Sequence, residues 1–120
     1  MDKVFTFENL DVYQVARQYV KQIYTISSKF PSKEDFALTS QIRRAAVSIT
    51  SNIAEGTSRF SVKDKSHFIE IAYGSLMETY SQLQVATDLQ YIENSEIEEI
   101  LPLVVELRNR LSALRKSYVN

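Results

Sequence analysis

Residues 97–118, IEEILPLVVELRNRLSALRKSY, decide the fold class. Ile97, Leu101, Val104, Leu107, Leu111, Leu114 and Tyr118 recur there at steps of four, three, three, four, three and four. That spacing keeps apolar side chains on one face of a helix and makes a seam that only other helices can cover. Pro102 lies inside the seam, where its ring clashes with the carbonyl four residues earlier, so a kink or a restart is expected there. Ser95 and Glu98 form a capping box that opens this helix near residue 96.

Three more segments upstream share the helical period. The first spans about 10–30, with Asn9 as N-cap and Val12, Tyr13, Ala16, Tyr19, Val20, Ile23, Ile26 and Phe30 as its apolar row. Pro31 breaks it. A second helix over about 32–56 carries Leu38, Ile42, Ala45, Ala46, Ile49 and Ile53 and stops at Gly56. Ser61 and Asp64 resemble a capping box that opens the third, about 62–92, whose core row is Phe68, Ala72, Ser75, Leu76, Thr79, Leu83 and Ala86. With the fourth at about 96–118 and short gaps between them, the expected fold is all-α: one domain over 1–120, an antiparallel up-down-up-down four-helix bundle.

Composition agrees. At 120 residues, with 44% hydrophobic and 24% charged, the chain can bury a core without staples, and zero Cys excludes disulfides, thiolate metal sites and a cysteine nucleophile. Two Gly and two Pro are too few for a many-hairpin β fold. No window approaches 18 apolar residues, so no membrane span is expected. The N-terminal stretch with Asp2 and Glu8 lacks the apolar run of a signal peptide. A cytoplasmic location is the expectation.

The first helix is apolar over about half its circumference, more than the roughly 100° stripe that two-layer packing needs. On the third helix Tyr73, Met77, Tyr80 and Tyr91 fall on a line roughly 110° from the core row. Two readings stand: a broad core edge with hydroxyls in water, or a subunit interface built from Val12, Tyr19, Ile26, Tyr73, Met77, Tyr80 and Tyr91. Gln41, Arg44, Ser48, Asn52 and Glu55 share one face of the second helix, opposite Ser75 and Glu78 of the third. Gly74 would allow a close backbone approach, and an Arg44–Glu78 bond would lock helix register; a ligand site is the alternative.

Little points to catalysis. His67 is the only histidine, so a di-iron pair of acid-x-x-His motifs cannot be assembled, a zinc site or a serine triad with Ser66 would each have to rest on that one residue, and no glycine-rich phosphate loop exists. No enzyme, cofactor, metal or small-molecule substrate is expected. Net charge is −1, with 14 Lys+Arg against 15 Asp+Glu, but the charges are unevenly distributed. The bundle topology brings Arg59, Lys63, Lys65, Arg108, Arg110, Arg115 and Lys116 to one end and a run of acids to the other. Such a gradient either complements helix macrodipoles, the reading favoured because no aromatic platform is expected among the bases for stacking on RNA, or offers phosphate a basic surface, above all where parallel copies in a ring add their fields.

QIRRAAVSITSNIAEG at 41–56, together with AYGSLME at 72–78, closely resembles the bacterial four-helix-bundle family called 23S ribosomal RNA intervening-sequence proteins. Leu10, Phe30-Pro31, Leu38 and Gln82-Leu83 also fit, so the likeness covers about 7–114. The family is named for open reading frames within insertions in 23S ribosomal RNA genes, and some members carry a ribosomal-protein label. It is similar to the accessory variability protein of diversity-generating retroelements, a ring of five that binds nucleic acid and a reverse transcriptase. The resemblance implies a left-handed bundle, a homopentamer and no established catalytic activity. Its motif positions here are Gln41, Arg43, Arg44, Ser48, Asn52, Glu55, Gly56, Gly74, Ser75 and Glu78. That accessory protein is strongly basic, whereas this chain is slightly acidic. The expected role is an oligomeric scaffold that meets RNA or a ribonucleoprotein through its basic end; a protein-interaction module that never touches nucleic acid is the alternative.

Overall fold

The computed structural model describes residues 4–119; Met1, Asp2, Lys3 and Asn120 lie outside the described residues. A short 3₁₀ turn, Thr6–Asn9, leads into α1 (Asp11–Ser27); a second, Ser32–Glu34, precedes α2 (Leu38–Thr57), and α3 (Val62–Asp88) and α4 (Asn94–Val119) complete an all-α four-helix bundle. The 27 residues of α3 span about 40 Å at 1.5 Å per residue, which accounts for the 43 Å long axis. α2 and α3 meet with residue numbers running in opposite directions, Ser48 against Ser75 and Thr57 against Lys65. Glu70 meets Arg115 and Lys65 lies beside Tyr118 between α3 and α4.

One core holds the bundle. Ala16 and Ile23 of α1, Ile42, Ile49 and Ile53 of α2, Ile69, Leu76 and Leu83 of α3, and Leu107 and Leu111 of α4 are completely buried. Each aliphatic side chain of Leu or Ile size removed from water contributes about 1.5–3 kcal/mol. Tyr19 is also fully buried, and its hydroxyl pairs at 2.7 Å with the hydroxyl of Thr79, which in turn donates to the Leu76 carbonyl. Burial pushes the Tyr19 phenol up to about 12, despite the counteracting hydrogen bond with Thr79.

Several boundaries differ from the sequence expectation, each for a local reason. The second helix begins at Leu38 instead of 32, because Pro31 is extended (φ −66°, ψ 153°) and the next three residues close a separate 3₁₀ turn. Glu34 then caps the true start, accepting from the Leu38 amide at 3.3 Å and from the Tyr91 hydroxyl at 2.7 Å. The first helix starts after Leu10, not Asn9, and ends at Ser27, where the Ser27 and Ser28 hydroxyls bond back to the Tyr24 and Thr25 carbonyls.

Ser61 caps the third helix as expected, its hydroxyl accepting from the Asp64 amide at 3.1 Å. That helix ends at Asp88 instead of 92 because Gln90 turns left-handed (φ 64°). The Tyr91 and Gln90 amides donate to the Ala86 and Thr87 carbonyls at 2.9 Å, a Schellman closure with Gln where Gly is usual. The fourth helix starts at Asn94, capped by the Glu96 carboxylate on the Glu93 amide at 2.9 Å, two residues ahead of the expected Ser95 box. It runs through Pro102 as one element, with no restart.

Two core rows also shift. Ile100 is buried where Leu101 was expected, and Leu101 is 38% exposed. At 100° per residue Leu101 stands roughly 90° from the centre of the row Ile100, Val104, Leu107 and Leu111. On α3, Ser66 and Ile69 are buried, whereas Phe68 and Ser75 are only half-buried.

The close approach expected at Gly74 falls at Gly56 instead. Gly56 is helical, within the last turn of α2, and a Cβ added there would stand 2.9 Å from the Phe68 Cβ and 3.2 Å from the Lys65 carbonyl oxygen. Gly56 therefore sets the closeness of α2 and α3. Gly74, expected to do this, has nothing within 4 Å of an added Cβ.

Candidate nucleic-acid interface

Three chain segments converge at one end of the bundle: the turn after α2, the first turns of α3 and the last turns of α4. Close packing at Gly56 brings the helix ends together. The Lys65 ammonium donates to the Thr57 carbonyl at 3.0 Å and lies 5.6 Å from the Tyr118 ring centre, tying α2, α3 and α4 at that end. Partial burial pushes the Tyr118 phenol upward. Of the seven basic residues anticipated from the sequence, Arg59, Lys63, Lys65, Arg115 and Lys116 lie in these segments, whereas Arg110 and Arg108 stand further back along α4, Arg108 nearer its middle than its end.

Their charges are not all free. Arg59 pairs with Glu55 at 2.6 Å while its guanidinium lies 4.6 Å from the Phe68 ring centre. Arg115 pairs with Glu70 at 2.6 Å, and Arg110 with Glu106 at 3.2 Å and Asp11 at 3.8 Å. Lys63, Lys65, Arg108 and Lys116 have no ion-pair partner among the described residues. The paired arginines are each more than two fifths exposed, so each of these bonds is worth roughly 0–1 kcal/mol and can be exchanged for another anion.

Phe60, in the turn between Arg59 and Ser61, is 102% exposed. Sequence periodicity passed over it because the residue belongs to no helical face. The available signal was a lone aromatic in a polar turn, SRFS at 58–61. The same holds for Phe36, 100% exposed just before α2.

The expected interface residues divide in two. Val12, Tyr19 and Ile26 are buried within the chain's own core and have no side-chain area to offer a second copy. They sit on the bundle-facing side of α1, and a wide apolar face cannot by itself reveal which part points inward. Tyr73, Met77 and Tyr80 are half-buried against the core and keep an accessible edge. Tyr91 is half-buried too, held by Glu34, which raises the Tyr91 phenol and lowers the Glu34 carboxyl.

The expected polar network forms only at its centre. Ser48 and Ser75 hydroxyls meet at 3.0 Å, and the Asn52 amide donates to the Ser48 hydroxyl and carbonyl at 2.9 and 2.8 Å. The Arg44–Glu78 bond is not made. Glu78 instead accepts from Gln82 at 3.2 Å, and Gln41, Arg44, Glu55 and Glu78 are exposed. Gly74 itself is exposed, with nothing within 4 Å of an added Cβ, and Arg44 and Glu78 stand in solvent, where an ion pair gains little. Arg43 supplies a different tie, donating to the Ser27 hydroxyl at 2.9 Å with its guanidinium 4.6 Å from the Tyr24 ring centre.

The family model described as 23S rRNA-intervening sequence protein matches residues 8–113. The chain belongs to that family. A search of the curated proteins finds no match. In this intervening-sequence protein the 41–56 stretch thus divides its work: Ile42, Ala46, Ile49 and Ile53 fill the core, Gly56 spaces α2 from α3, and Gln41, Arg44 and Glu55 face outward. No helix among the described residues is long and apolar enough to cross a membrane. Among the described residues, no three His, Cys, Asp or Glu side chains are grouped to hold a metal ion.

Proposed function

We propose that this intervening-sequence protein is a non-enzymatic helical scaffold that assembles with copies of itself, as a homopentamer, and meets RNA or a ribonucleoprotein through its basic bundle end. The observation that carries the RNA reading is the meeting of two basic segments through Lys65, which leaves Lys63 and Lys116 exposed, without an ion-pair partner among the described residues, beside exchangeable Arg59 and Arg115, with Arg110 and Arg108 further along α4. In a ring of parallel copies these charges share a face, and their fields add. The accessible edges of Tyr73, Met77 and Tyr80 support the assembly reading, since Tyr and Met offer large contact area at an interface.

Sedimentation of the purified protein with and without total RNA, at two salt concentrations, tests both parts. The expected result is a species near five subunits that shifts with RNA at low salt only, because phosphate contacts release counterions. A monomer, or a ring indifferent to RNA at low salt, removes the corresponding part.

One observation favours a second reading, a module that binds protein and not RNA. Tyr24, Phe36, Arg43, Arg44 and Val47 line a shallow trough along α2, an aromatic and arginine mixture typical of protein interfaces. A co-purifying protein that survives nuclease treatment would support it.

A further inference from the structure

We infer that Phe60 is a stacking platform for an unpaired base of single-stranded RNA, with Lys63 and Arg59 beside it to receive the flanking phosphates. The inference rests on the basic-end reading and specifies what kind of RNA that end selects.

The turn is built so that this ring has no place inside. The Ser58 and Arg59 amides close the end of α2 on the Glu55 and Gly56 carbonyls, both at 3.2 Å, and Ser61 is already extended (φ −87°, ψ 145°) to cap α3. Only residues 58–61 join the two helices. The close approach at Gly56 leaves no gap between them, and the space beneath Arg59 is taken by Phe68. The Phe60 ring therefore stands in solvent with both faces open, flanked by hydroxyl and cationic residues.

An isolated flat ring among cations matches one ligand chemistry closely. Base–aromatic stacking needs an accessible ring face and tolerates any base, while neighbouring cations track the backbone. Lys63, one residue into α3, is exposed with no ion-pair partner among the described residues, and the exposed His67 ring follows one helical turn later on the same side. Arg59 can release Glu55 to phosphate because that pair is exposed. Asp64 is the exposed acid of this first turn. A duplex hides its base faces in its own stack, so this arrangement discriminates in favour of unpaired nucleotides. Val62 is also exposed two residues on, but the ring's chain neighbours Arg59 and Ser61 are polar and the turn holds a single aromatic, which suits a single base better than an acyl layer.

The test uses the full chain in its native assembly and labelled RNA of about 12 nucleotides, single-stranded or as a duplex, followed by anisotropy over a salt series. F60A is expected to weaken single-strand binding by about 5-fold or more, with the salt slope and duplex binding unchanged. F60W is expected to restore it. The double variant K63E/K116E is expected to weaken both RNAs and flatten the salt slope. If F60A binds single strands as the parent does while K63E/K116E does not, the end reads phosphate alone and the stacking inference is overturned, with the basic-end reading intact. If the parent binds neither RNA at low salt, both fall. If F60A loses only adhesion to phosphatidylserine vesicles, the ring serves a lipid surface and the inference is again overturned. Phe60 touches no core residue, so a folding defect in F60A is not expected.

Discussion

Replacing each glycine of this protein by alanine, one at a time, should shift stability in opposite directions. At Gly56 the new methyl would lie 2.9 Å from the Phe68 Cβ and 3.2 Å from the Lys65 carbonyl oxygen, one of them backbone and both belonging to α3. Neither can rotate away, so α3 must shift, and overpacking of this kind costs about 1–3 kcal/mol. The helix-propensity gain of alanine over glycine offsets roughly 1 kcal/mol. A net loss of up to about 2 kcal/mol remains. At Gly74 nothing lies within 4 Å, so only the propensity gain operates and the variant should be more stable by about 0.5–1 kcal/mol. With about 2.1 cal/mol/K of unfolding entropy per residue over 120 residues, G56A should melt up to roughly 8 °C below the parent and G74A roughly 2–4 °C above it. Thermal unfolding followed by circular dichroism measures both. A stabilised G56A refutes the close-approach reading, and a destabilised G74A means that something packs on that face.

The left-handed Gln90 at the end of α3 pays a steric cost that glycine avoids, so Gln90→Gly should raise the urea midpoint by the equivalent of about 1 kcal/mol; no change would mean that the Schellman closure is unstrained. Thr79→Val strands the buried Tyr19 hydroxyl and should cost about 1–3 kcal/mol, with Tyr19→Phe added to it recovering part of the loss in a double-mutant cycle. The Glu34 carboxyl is held below its ordinary value by the Tyr91 hydroxyl and then by the Leu38 amide. A depressed folded value means stability present above the ordinary carboxylate range and lost as pH falls through it, so Glu34→Gln should flatten the acid side of the urea-midpoint profile and leave the neutral side's slope unchanged. Glu96 acts in the same direction: burial raises its carboxyl, but the Lys29 ammonium and the Glu93 amide lower it further.

Helix existence was legible in the sequence because packing an apolar face demands a period that residues display directly. Helix ends were legible only where a single residue dictates them. Ser61 capped as read, whereas the start of α2 depended on Glu34 reaching the Leu38 amide and Tyr91, a partner 57 positions away. The candidate site shows the same division. The basic residues of the 57–65 turn and of the end of α4 could be brought together by topology alone, yet Arg115 is paired by Glu70, 45 positions distant. Only three-dimensional proximity could reveal how much of that charge is spoken for. Phe60 escaped notice because periodicity assigns it to no face, and exposure is a property of the folded surface.

By itself the sequence determined that this chain forms four helices, that it is built without cysteine, and that its residues carry the 23S rRNA-intervening sequence signature. Those properties are local or compositional: periodicity, capping and residue type act over a turn or two of chain. Tertiary structure alone decided that Tyr19 faces inward, that Gly56 and not Gly74 brings two helices together, and which arginines are neutralised. Each of these depends on the rotation of a helix about its axis and on its distance from its neighbour. Those two variables are set by the packing of all four helices at once, so no single segment encodes them.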